Sequence, residues 1–192
     1  MHLNMFNSVL FFGRKNCNHS NHIKKILKNK SKNFYFIESS KTNQKINLDK
    51  FKDINFDYIF SFRSFYILKK DLLSKCKIAA INFHPGSPEF RGLGSINYAL
   101  YNGSKFYGCT AHIIDEKIDN GKIIDVRKFK MNNSYNIEKA LSKTHNLMRK
   151  QAIFLINLLL DNKDNLQKLI KNNAKSKWSK KISDLKQLDK FY

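Results

Sequence analysis

The chain has 192 residues, of which 36 are Lys or Arg and 15 are Asp or Glu, so the formal net charge is +21. The apolar fraction of 42%, with 16 Phe and 8 Tyr, suits one domain with a sizeable core and excludes disorder as the main state. The longest apolar run, residues 152–160, is shorter than the roughly 20 residues of a membrane span, and the first residues lack a secretion signal. We therefore expect a soluble, cytoplasmic protein without a membrane partner.

The excess of basic residues raises nucleic-acid binding as a hypothesis, because clustered cations displace counterions from phosphates. Only 5 of the 36 basic residues are Arg, however, and bidentate recognition of phosphates or bases favours Arg over Lys. We therefore interpret the charge mainly as a solvated, Lys-rich surface. A nucleic-acid partner stays open but is not favoured.

The N-terminal half alternates short apolar runs with helix-compatible stretches. This alternation is typical of a mostly parallel α/β sheet flanked by helices. We predict strands at residues 8–12, 33–37, 57–62 and 78–83, helices at 19–29 and 70–74, and an irregular surface loop at 38–52.

The C-terminal half begins with a helix that Gly94 and Ser95 can start and that ends at Asn102 and Gly103. Strands at 109–114 and 122–130 follow, and a long helix begins at Asn136 with an apolar face that we expect to cover the sheet. The residues of this face are Ile137, Ala140, Leu141, Thr144, Leu147, Met148 and Leu155. Without repeats or a linker, we predict one domain over residues 1–192, with a catalytic core at 8–160 and a basic helical segment at 161–192.

The turn after the first strand lacks the glycines that let backbone approach a pyrophosphate, since Gly13 is followed by RKNCNHSNH. We therefore expect a Rossmann-like sheet that does not bind a dinucleotide. Cys17, His19 and His22 invite interpretation as a zinc site, but a fourth ligand and a known spacing are missing, so we predict a polar loop and no metal. The three cysteines are too scattered for a disulfide framework.

Polar residues that can carry chemistry follow the fourth predicted strand. Asn82 and His84 lie two residues apart in an extended segment, so their side chains point to the same side, and the prolines that follow force a turn. Asp119 precedes Gly121 in a later loop that can return to the same edge of the sheet. Open α/β proteins bind their ligands at this edge.

An Asn, a His and an Asp at one place suit acyl transfer to an amine. The Asn82 amide can donate a hydrogen bond to a carbonyl oxygen that becomes an oxyanion, a contribution worth about 3–4 kcal/mol. His84 can act as the general base for an attacking amine, and Asp119 can orient His84 and relay protons. Each residue alone has an ordinary structural explanation, so the prediction depends on the three together.

Segments 81–92 and 108–123 resemble the signature of the folate-dependent formyltransferase family. Its motifs Asn-x-His-Pro, Gly-x-Thr-x-His and Asp-x-Gly are matched in order by Asn82, His84, Pro85, Gly108, Thr110, His112, Asp119 and Gly121. The resemblance implies a Rossmann-like formyltransferase fold, 10-formyltetrahydrofolate as co-substrate and Asn82, His84 and Asp119 as catalytic residues. It also implies a pterin pocket built from Phe65, Tyr66, Ile67, Leu68, Asp115, Glu116 and Ile118.

The pattern is closest to the sugar N-formyltransferases. The turn after His84 reads PGSPEFRG instead of the Ser-Leu-Leu-Pro of other branches, Trp178 with its basic surroundings resembles the Trp and basic helix that end many of these enzymes, and no stretch resembles the extra β-barrel of the tRNA-modifying branch. We therefore expect a nucleotide-linked amino sugar as the amine acceptor. Arg91 either contacts a phosphate of this acceptor or is simply exposed. His112 is either a satisfied core histidine or a support for the catalytic residues.

Three functional alternatives stay open. Methionyl-tRNA is an alternative acceptor, and the Lys-rich C-terminal third would then bind its phosphates electrostatically. An inactive binding module that keeps the pocket is a second, and formyl hydrolysis, in which water replaces the amine, is a third. The sequence also leaves the oligomeric state open, a homo-oligomer included.

Overall fold

The computed structural model describes residues 4–42, 44–132 and 134–183. Within this part of the chain, the main sheet has six strands in the order β2-β1-β3-β4-β6-β7. These strands are β1 Phe6–Arg14, β2 Ser31–Ser39, β3 Phe56–Phe62, β4 Cys76–His84, β6 Phe106–Ile113 and β7 Ile123–Lys130, and a short strand β5 Arg91–Gly92 lies outside the sheet. Strands β2, β1, β3 and β4 run parallel, whereas β6 is antiparallel to β4 and to β7. The predicted mostly parallel, Rossmann-like α/β fold is confirmed.

Helices connect and flank the strands. They are α1 Asn18–Asn29, α2 Lys70–Leu73, α3 Ser95–Tyr101, α4 Ile137–Asp161 and α5 Asn165–Asn172. Helix α4 begins as predicted, because the Asn136 side chain accepts a hydrogen bond from the Lys139 N–H. Helix α3 begins differently: Gly94, with a φ of 70°, is the N-cap without a side-chain cap, and Ser95 is the first helical residue. In the ranges that the structure describes, no helix combines the length and apolar character needed to cross a membrane.

Both faces of the sheet are buried, which explains why its inner strands read as continuous apolar runs. Alternate residues of β1 divide between two cores: Val9 and Phe11 pack on the side of α1 and α4, and Leu10 and Phe12 pack on the other side. The predicted surface loop at 38–52 is partly wrong. Strand β2 continues to Ser39, and a 3-10 helix at Asp49–Phe51 buries Phe51 in the second core.

The apolar face of α4 covers the sheet as predicted. Ala140, Thr144, Met148 and Leu155 are buried. The face extends to residues that the prediction omitted, namely Gln151, Ala152, Ile156 and Leu159. Ile137 is 37% exposed, because it lies in the first turn beyond the edge of the sheet.

The C-terminal segment departs from the predicted basic helix. Helix α5 ends at Asn172, and residues 173–183 are not helical; they end in the two-residue strand β8 Ile182–Ser183, which pairs in parallel with β5. The Ser179 N–H also donates to the Pro88 carbonyl. The prediction of a helical segment is therefore wrong over 173–183, where hydrogen bonds to distant loops replace helical ones. Residues 184–192 of that prediction lie outside the described residues.

Candidate active site

The carboxyl edge of β4 and the loop between β6 and β7 bring the three predicted catalytic residues together. Asn82 and His84 lie at the end of β4, and the antiparallel pairing places Asn82 opposite His112 on β6. Asp119 has a φ of 43°, a left-handed conformation that Asp tolerates better than most residues. Its carboxylate reaches between two imidazoles: Oδ2 lies 3.2 Å from His84 Nδ1, and Oδ1 lies 3.3 Å from His112 Nε2.

The Asp119 carboxylate is surrounded by groups that favour its charge. It accepts a hydrogen bond from the Gly92 N–H at 3.2 Å, in addition to its contacts with both histidines. Burial by itself raises the pKa of Asp119, but its contacts with His84 and His112 and the Gly92 N–H outweigh burial, so the pKa lies well below its ordinary value. Asp119 is therefore ionised at neutral pH and fixes the orientation of both rings.

Both nitrogens of the His84 ring face hydrogen-bond acceptors. Nε2 lies 3.0 Å from the Phe90 carbonyl oxygen, and Nδ1 lies 3.2 Å from Asp119 Oδ2. A carbonyl can only accept, so Nε2 donates to Phe90, and the protonated ring satisfies both contacts at once. The neutral ring leaves a nitrogen lone pair against either the carbonyl or the carboxylate.

His112 links Asn82 to Asp119. Its Nδ1 donates to the Ile113 carbonyl at 2.8 Å, which leaves Nε2 as an acceptor in the neutral ring. Asn82 Nδ2 lies 3.1 Å from this Nε2 and 3.4 Å from Asp119 Oδ1. One amide hydrogen is thus well bound and the other only weakly, because 3.4 Å is long for an N–H···O bond. His112 is thus a buried histidine with contacts at both ring nitrogens, and these contacts also link it to Asn82 and Asp119, so both predicted explanations match its surroundings.

The remaining motif residues shape the backbone around these side chains. Thr110 Oγ1 donates to the Gly86 carbonyl at 2.7 Å, which ties the turn after β4 to β6. A Cβ at Gly86 would lie 2.5 Å from His84 Nε2, and a Cβ at Gly121 would collide with the Ile113 carbonyl oxygen. The turn can therefore hold His84, and the Asp119 loop can close on β6, only with glycine at these two positions.

Trp178 is a member of the site that the motifs did not predict. Its ring makes edge contacts with the rings of His112 at 5.0 Å and His84 at 5.8 Å between centroids, and its Nε1–H donates to the Gly121 carbonyl at 2.8 Å. Trp178 is the one tryptophan in the sequence, which could have suggested a special position for it. No periodic pattern connects residue 178 with residue 84, however, so the contact with His84 could not be predicted. The side chain covers the two histidines and binds the Asp119 loop.

Arg91 is buried, so the predicted alternative of an exposed side chain is wrong. It is 8% exposed, and its Nε and Nη2 both donate to the Ile118 carbonyl, at 2.9 and 2.7 Å. Its contact with an acceptor phosphate stays a prediction. Arg91 holds the 115–119 loop against β5, an arrangement that depends on a contact between residues 27 apart in sequence.

The three predicted catalytic residues line a cavity of about 440 Å³. All seven residues predicted for the pterin pocket line the same cavity, namely Phe65, Tyr66, Ile67, Leu68, Asp115, Glu116 and Ile118. Tyr66 stacks on Phe12 at a centroid distance of 5.3 Å, which fixes the 65–68 wall. Arg14, Arg63 and His145 also line the cavity and were not predicted.

The loop that raised the zinc hypothesis is engaged in other contacts. Cys17 Sγ accepts from the Ser20 N–H at the start of α1 and from Arg63 Nη1 at 3.2 Å. Burial opposes ionisation of this thiol, but the hydrogen bonds from Ser20 and Arg63 outweigh burial and lower its pKa. The His22 ring lies 3.5 Å from Arg149. Among the described residues, no group of three or more His, Cys, Asp or Glu is arranged to hold a metal ion.

Fold and site together define a Rossmann-like α/β protein with an Asn-His-Asp set at the carboxyl edge of its sheet. A family model described as formyl transferase matches residues 7–155. The chain belongs to the folate-dependent formyl transferase family, as its motifs predicted.

Two relatives show how the sequence similarity is distributed. Methionyl-tRNA formyltransferase of Ehrlichia ruminantium (strain Welgevonden) is 32% identical over 137 residues, which cover 71% of this chain and 44% of that protein. The bifunctional polymyxin resistance protein ArnA of Wigglesworthia glossinidia brevipalpis is 40% identical over 77 residues, 39% of this chain and 12% of that protein. The chain thus spans less than half the length of these relatives.

Solved structures show the same fold at low sequence identity. The N-formyltransferase from Helicobacter canadensis, in complex with folinic acid and dTDP-3-aminofucose, has a TM-score of 0.63 at 21% identity and covers 90% of this chain and 70% of that chain. Phosphoribosylglycinamide formyltransferase from Anaplasma phagocytophilum has a TM-score of 0.67 at 16% identity and covers 81% of this chain and 87% of that chain.

Proposed function

We propose that this chain transfers a formyl group from 10-formyltetrahydrofolate to a primary amine. The observation that supports this most is the contact between Asn82, His84 and Asp119 on the wall of the cavity that the predicted pterin residues share. A cavity of about 440 Å³ lies within the range of small-ligand sites. Ile67 and Ile118 are 62% and 52% exposed on its walls, and a planar pterin would cover them.

Asn82 is proposed to stabilise the charge that develops on the formyl oxygen. The amine nitrogen attacks the formyl carbon, and the electrons of the C=O double bond move to oxygen. The weakly held Nδ2–H of Asn82, 3.4 Å from Asp119, is the amide hydrogen that can bind this oxyanion at little cost. Because His112 retains the other amide hydrogen, the amide keeps its orientation during the step.

His84 is proposed to move protons in both directions. The protonated ring gives its Nε2 proton to the folate nitrogen as the bond from this nitrogen to the formyl carbon breaks, and the neutral ring then takes the proton that the amine must lose. The predicted role as general base therefore requires the hydrogen bond to Phe90 to open. Asp119 holds Nδ1–H throughout, so the ring does not rotate.

The proposed acceptor is an amino sugar linked to a nucleotide. The N-formyltransferase structure with dTDP-3-aminofucose covers 90% of this chain, and the turn after His84, PGSPEFRG, resembles that of the sugar N-formyltransferases. The sequence relatives support a second candidate, an amine linked to nucleic acid, because the Ehrlichia ruminantium methionyl-tRNA formyltransferase matches 71% of the chain.

An acceptor panel tests the proposal. The full chain is incubated with 10-formyltetrahydrofolate and either nucleotide-linked amino sugars or methionyl-tRNA, and formylated product is measured by mass spectrometry. We expect product from at least one amino sugar. Product from methionyl-tRNA alone would replace the first candidate by the second, and product from none would contradict formyl transfer.

Site variants test the catalytic assignments. His84→Gln and Asp119→Asn keep side-chain size and remove the proton carrier and the charge, so turnover should fall at least about 100-fold. Asp53→Asn, an exposed Asp far from β4 in sequence, is the matched control and should keep full turnover. Unchanged turnover in His84→Gln would contradict the assigned role.

A further inference from the structure

Two of the five arginines of the chain line the catalytic cavity. Arg14 ends β1 and Arg63 follows β3, and the pairing of Gly13 with Phe62 places both at the same carboxyl edge as His84. Arg63 has a φ of 55°, a left-handed conformation that is uncommon for a residue other than glycine. The sheet therefore directs two guanidinium groups to one end of the proposed substrate cavity.

These two guanidinium groups have no carboxylate partner in the described part of the chain. None of the ion pairs found there includes Arg14 or Arg63. The Arg14 guanidinium lies over the Phe65 ring at 3.9 Å, and its Nε is buried without a hydrogen-bond partner. Arg63 Nη1 donates to the Cys17 sulfur. Both arginines are partly buried, and a partly buried cation gains from an anionic partner, so this end of the cavity is suited to an anion.

His145 shows that the cations act on their surroundings. It lies on α4 and lines the same cavity. Burial and then the charges of Arg63, His19 and Arg14 lower the pKa of His145 to about 3. Burial and the charge of Arg63 also lower the pKa of Arg14, whereas the nearby Cys17 opposes this. The two arginines thus create a positive potential at this end of the cavity.

We propose that Arg14 and Arg63 bind a phosphate or diphosphate group of the acceptor substrate. The inference rests on the proposed function, because it describes the acceptor of the formyl group. A planar guanidinium binds two phosphate oxygens at once, and the unpaired Nε–H of Arg14 supplies a donor for this geometry. The sequence had connected Arg91 with such a phosphate, but Arg91 is bound to Ile118.

Pyrophosphate is the direct probe of this site, because its binding can be measured without turnover. In isothermal titration calorimetry with the full chain, the Arg14→Gln/Arg63→Gln double variant should bind pyrophosphate at least about tenfold more weakly than the unaltered chain. Lys15→Gln removes one positive charge next to Arg14, but Lys15 does not line the cavity, so this variant should bind within about twofold of the unaltered chain. Equal binding by the double variant and Lys15→Gln would overturn the proposal.

A conservative variant covers the case in which the double Gln variant does not fold, as judged by circular dichroism. Arg14→Lys/Arg63→Lys keeps both charges but loses the paired donors of each guanidinium. We therefore expect it to bind pyrophosphate more weakly than the unaltered chain does, but more tightly than the double Gln variant. Binding equal to the unaltered chain would overturn the assignment to paired donors.

Folinic acid separates the acceptor phosphate from the other anion of the system, the glutamate of the folate. If the anion belongs to the acceptor, the double Gln variant binds folinic acid as tightly as the unaltered chain does. Weakened folinic acid binding would assign the arginines to the glutamate and overturn the proposal. Pyrophosphate binding with no formyl transfer to any acceptor would support the anion site and contradict only the proposed function.

Discussion

At the scale of single residues, Asp119 determines how the site is organised. Its carboxylate contacts His84, His112 and the Gly92 N–H, and the resulting stabilisation of its charge exceeds the cost of its burial. The ring that carries protons and the ring that orients Asn82 are therefore fixed by one group. Removing this group should disorganise both.

The Gly86→Ala variant tests how narrowly His84 is held. The added Cβ would lie 2.5 Å from His84 Nε2 and 2.7 Å from the Phe90 carbonyl oxygen, so the ring must move away from both. We expect turnover to fall about 100-fold, because a displacement of about 1 Å is enough for such a loss. The measurement is kcat for the acceptor found in the panel.

Gly103→Ala is the control for this variant. Gly103 has a φ of 57° and open space around a Cβ, so alanine should lower the free energy of unfolding by about 1 kcal/mol without lowering turnover. If Gly103→Ala and Gly86→Ala lose turnover equally, the loss reflects stability and not the position of His84.

His145 makes the stability of the protein depend on pH. Folding lowers its pKa from an ordinary value of about 6.5 to about 3. Between these two pH values, His145 is therefore protonated in the unfolded chain and neutral in the folded chain. The contribution of His145 is complete above pH 6.5 and is lost as the pH falls toward 3. His145→Gln should therefore show a smaller fall in the free energy of unfolding between about pH 7 and pH 5 than the unaltered chain.

Urea titrations at several pH values measure this effect, with the exposed neighbour Asn146→Gln as the control. Parallel pH profiles for His145→Gln and the unaltered chain would contradict the prediction, because they would show that folding does not shift the pKa of His145.

At the scale of elements, the C-terminal segment 173–183 joins the two catalytic loops. Strand β8 pairs with β5, the Ser179 N–H donates to Pro88, and Trp178 donates to Gly121. The first two contacts hold the turn after β4, and the third holds the loop of Asp119. The segment therefore contributes to the geometry of the site although its own residues lie outside the family motifs.

Variants at Trp178 test this contribution. Trp178→Ala removes the cover from both histidines and the hydrogen bond to Gly121, so kcat should fall more than about tenfold. Trp178→Phe keeps a ring but not the N–H, and we expect an intermediate kcat. A role confined to stability would lower the melting temperature and leave the pH profile of kcat unchanged, whereas a role in positioning His84 moves the profile.

At the scale of the whole molecule, most of the basic residues behind the charge of +21 are Lys, while two of the five Arg line the cavity. A broad Lys-rich surface attracts anionic substrates of any size, whereas paired guanidinium groups recognise one phosphate group. The two acceptor candidates use these features differently, and salt distinguishes them.

Raising the salt concentration from about 50 to 200 mM should lower kcat/KM for a nucleotide-linked amino sugar by less than about tenfold, because few phosphate contacts are lost. An acceptor held by 6–10 phosphates would lose about 1,000-fold or more over the same range. A loss of that size with the sugar acceptor would contradict binding through Arg14 and Arg63 alone.

The sequence by itself determined the sheet and the family, and it predicted that Asn82, His84 and Asp119 lie together. Apolar runs such as 57–62 must be buried wherever they lie, and a Gly, a Pro or an Asp at fixed spacing has few conformations available, so these features can be recognised locally. The motif also placed His112 correctly within the strand opposite Asn82.

Only the tertiary structure decided the contacts between distant segments. Arg91 donates hydrogen bonds to the Ile118 carbonyl, and Trp178 contacts His84, which lies 94 positions away in the chain. Arg14 and Arg63 lie at the ends of neighbouring parallel strands. Arg and Trp side chains are long and have many acceptable partners, so their local sequence does not specify which partner they bind. Strand pairing and the path of residues 173–183 determine which partners these side chains bind, because they bring together backbone groups whose hydrogen bonds must be satisfied.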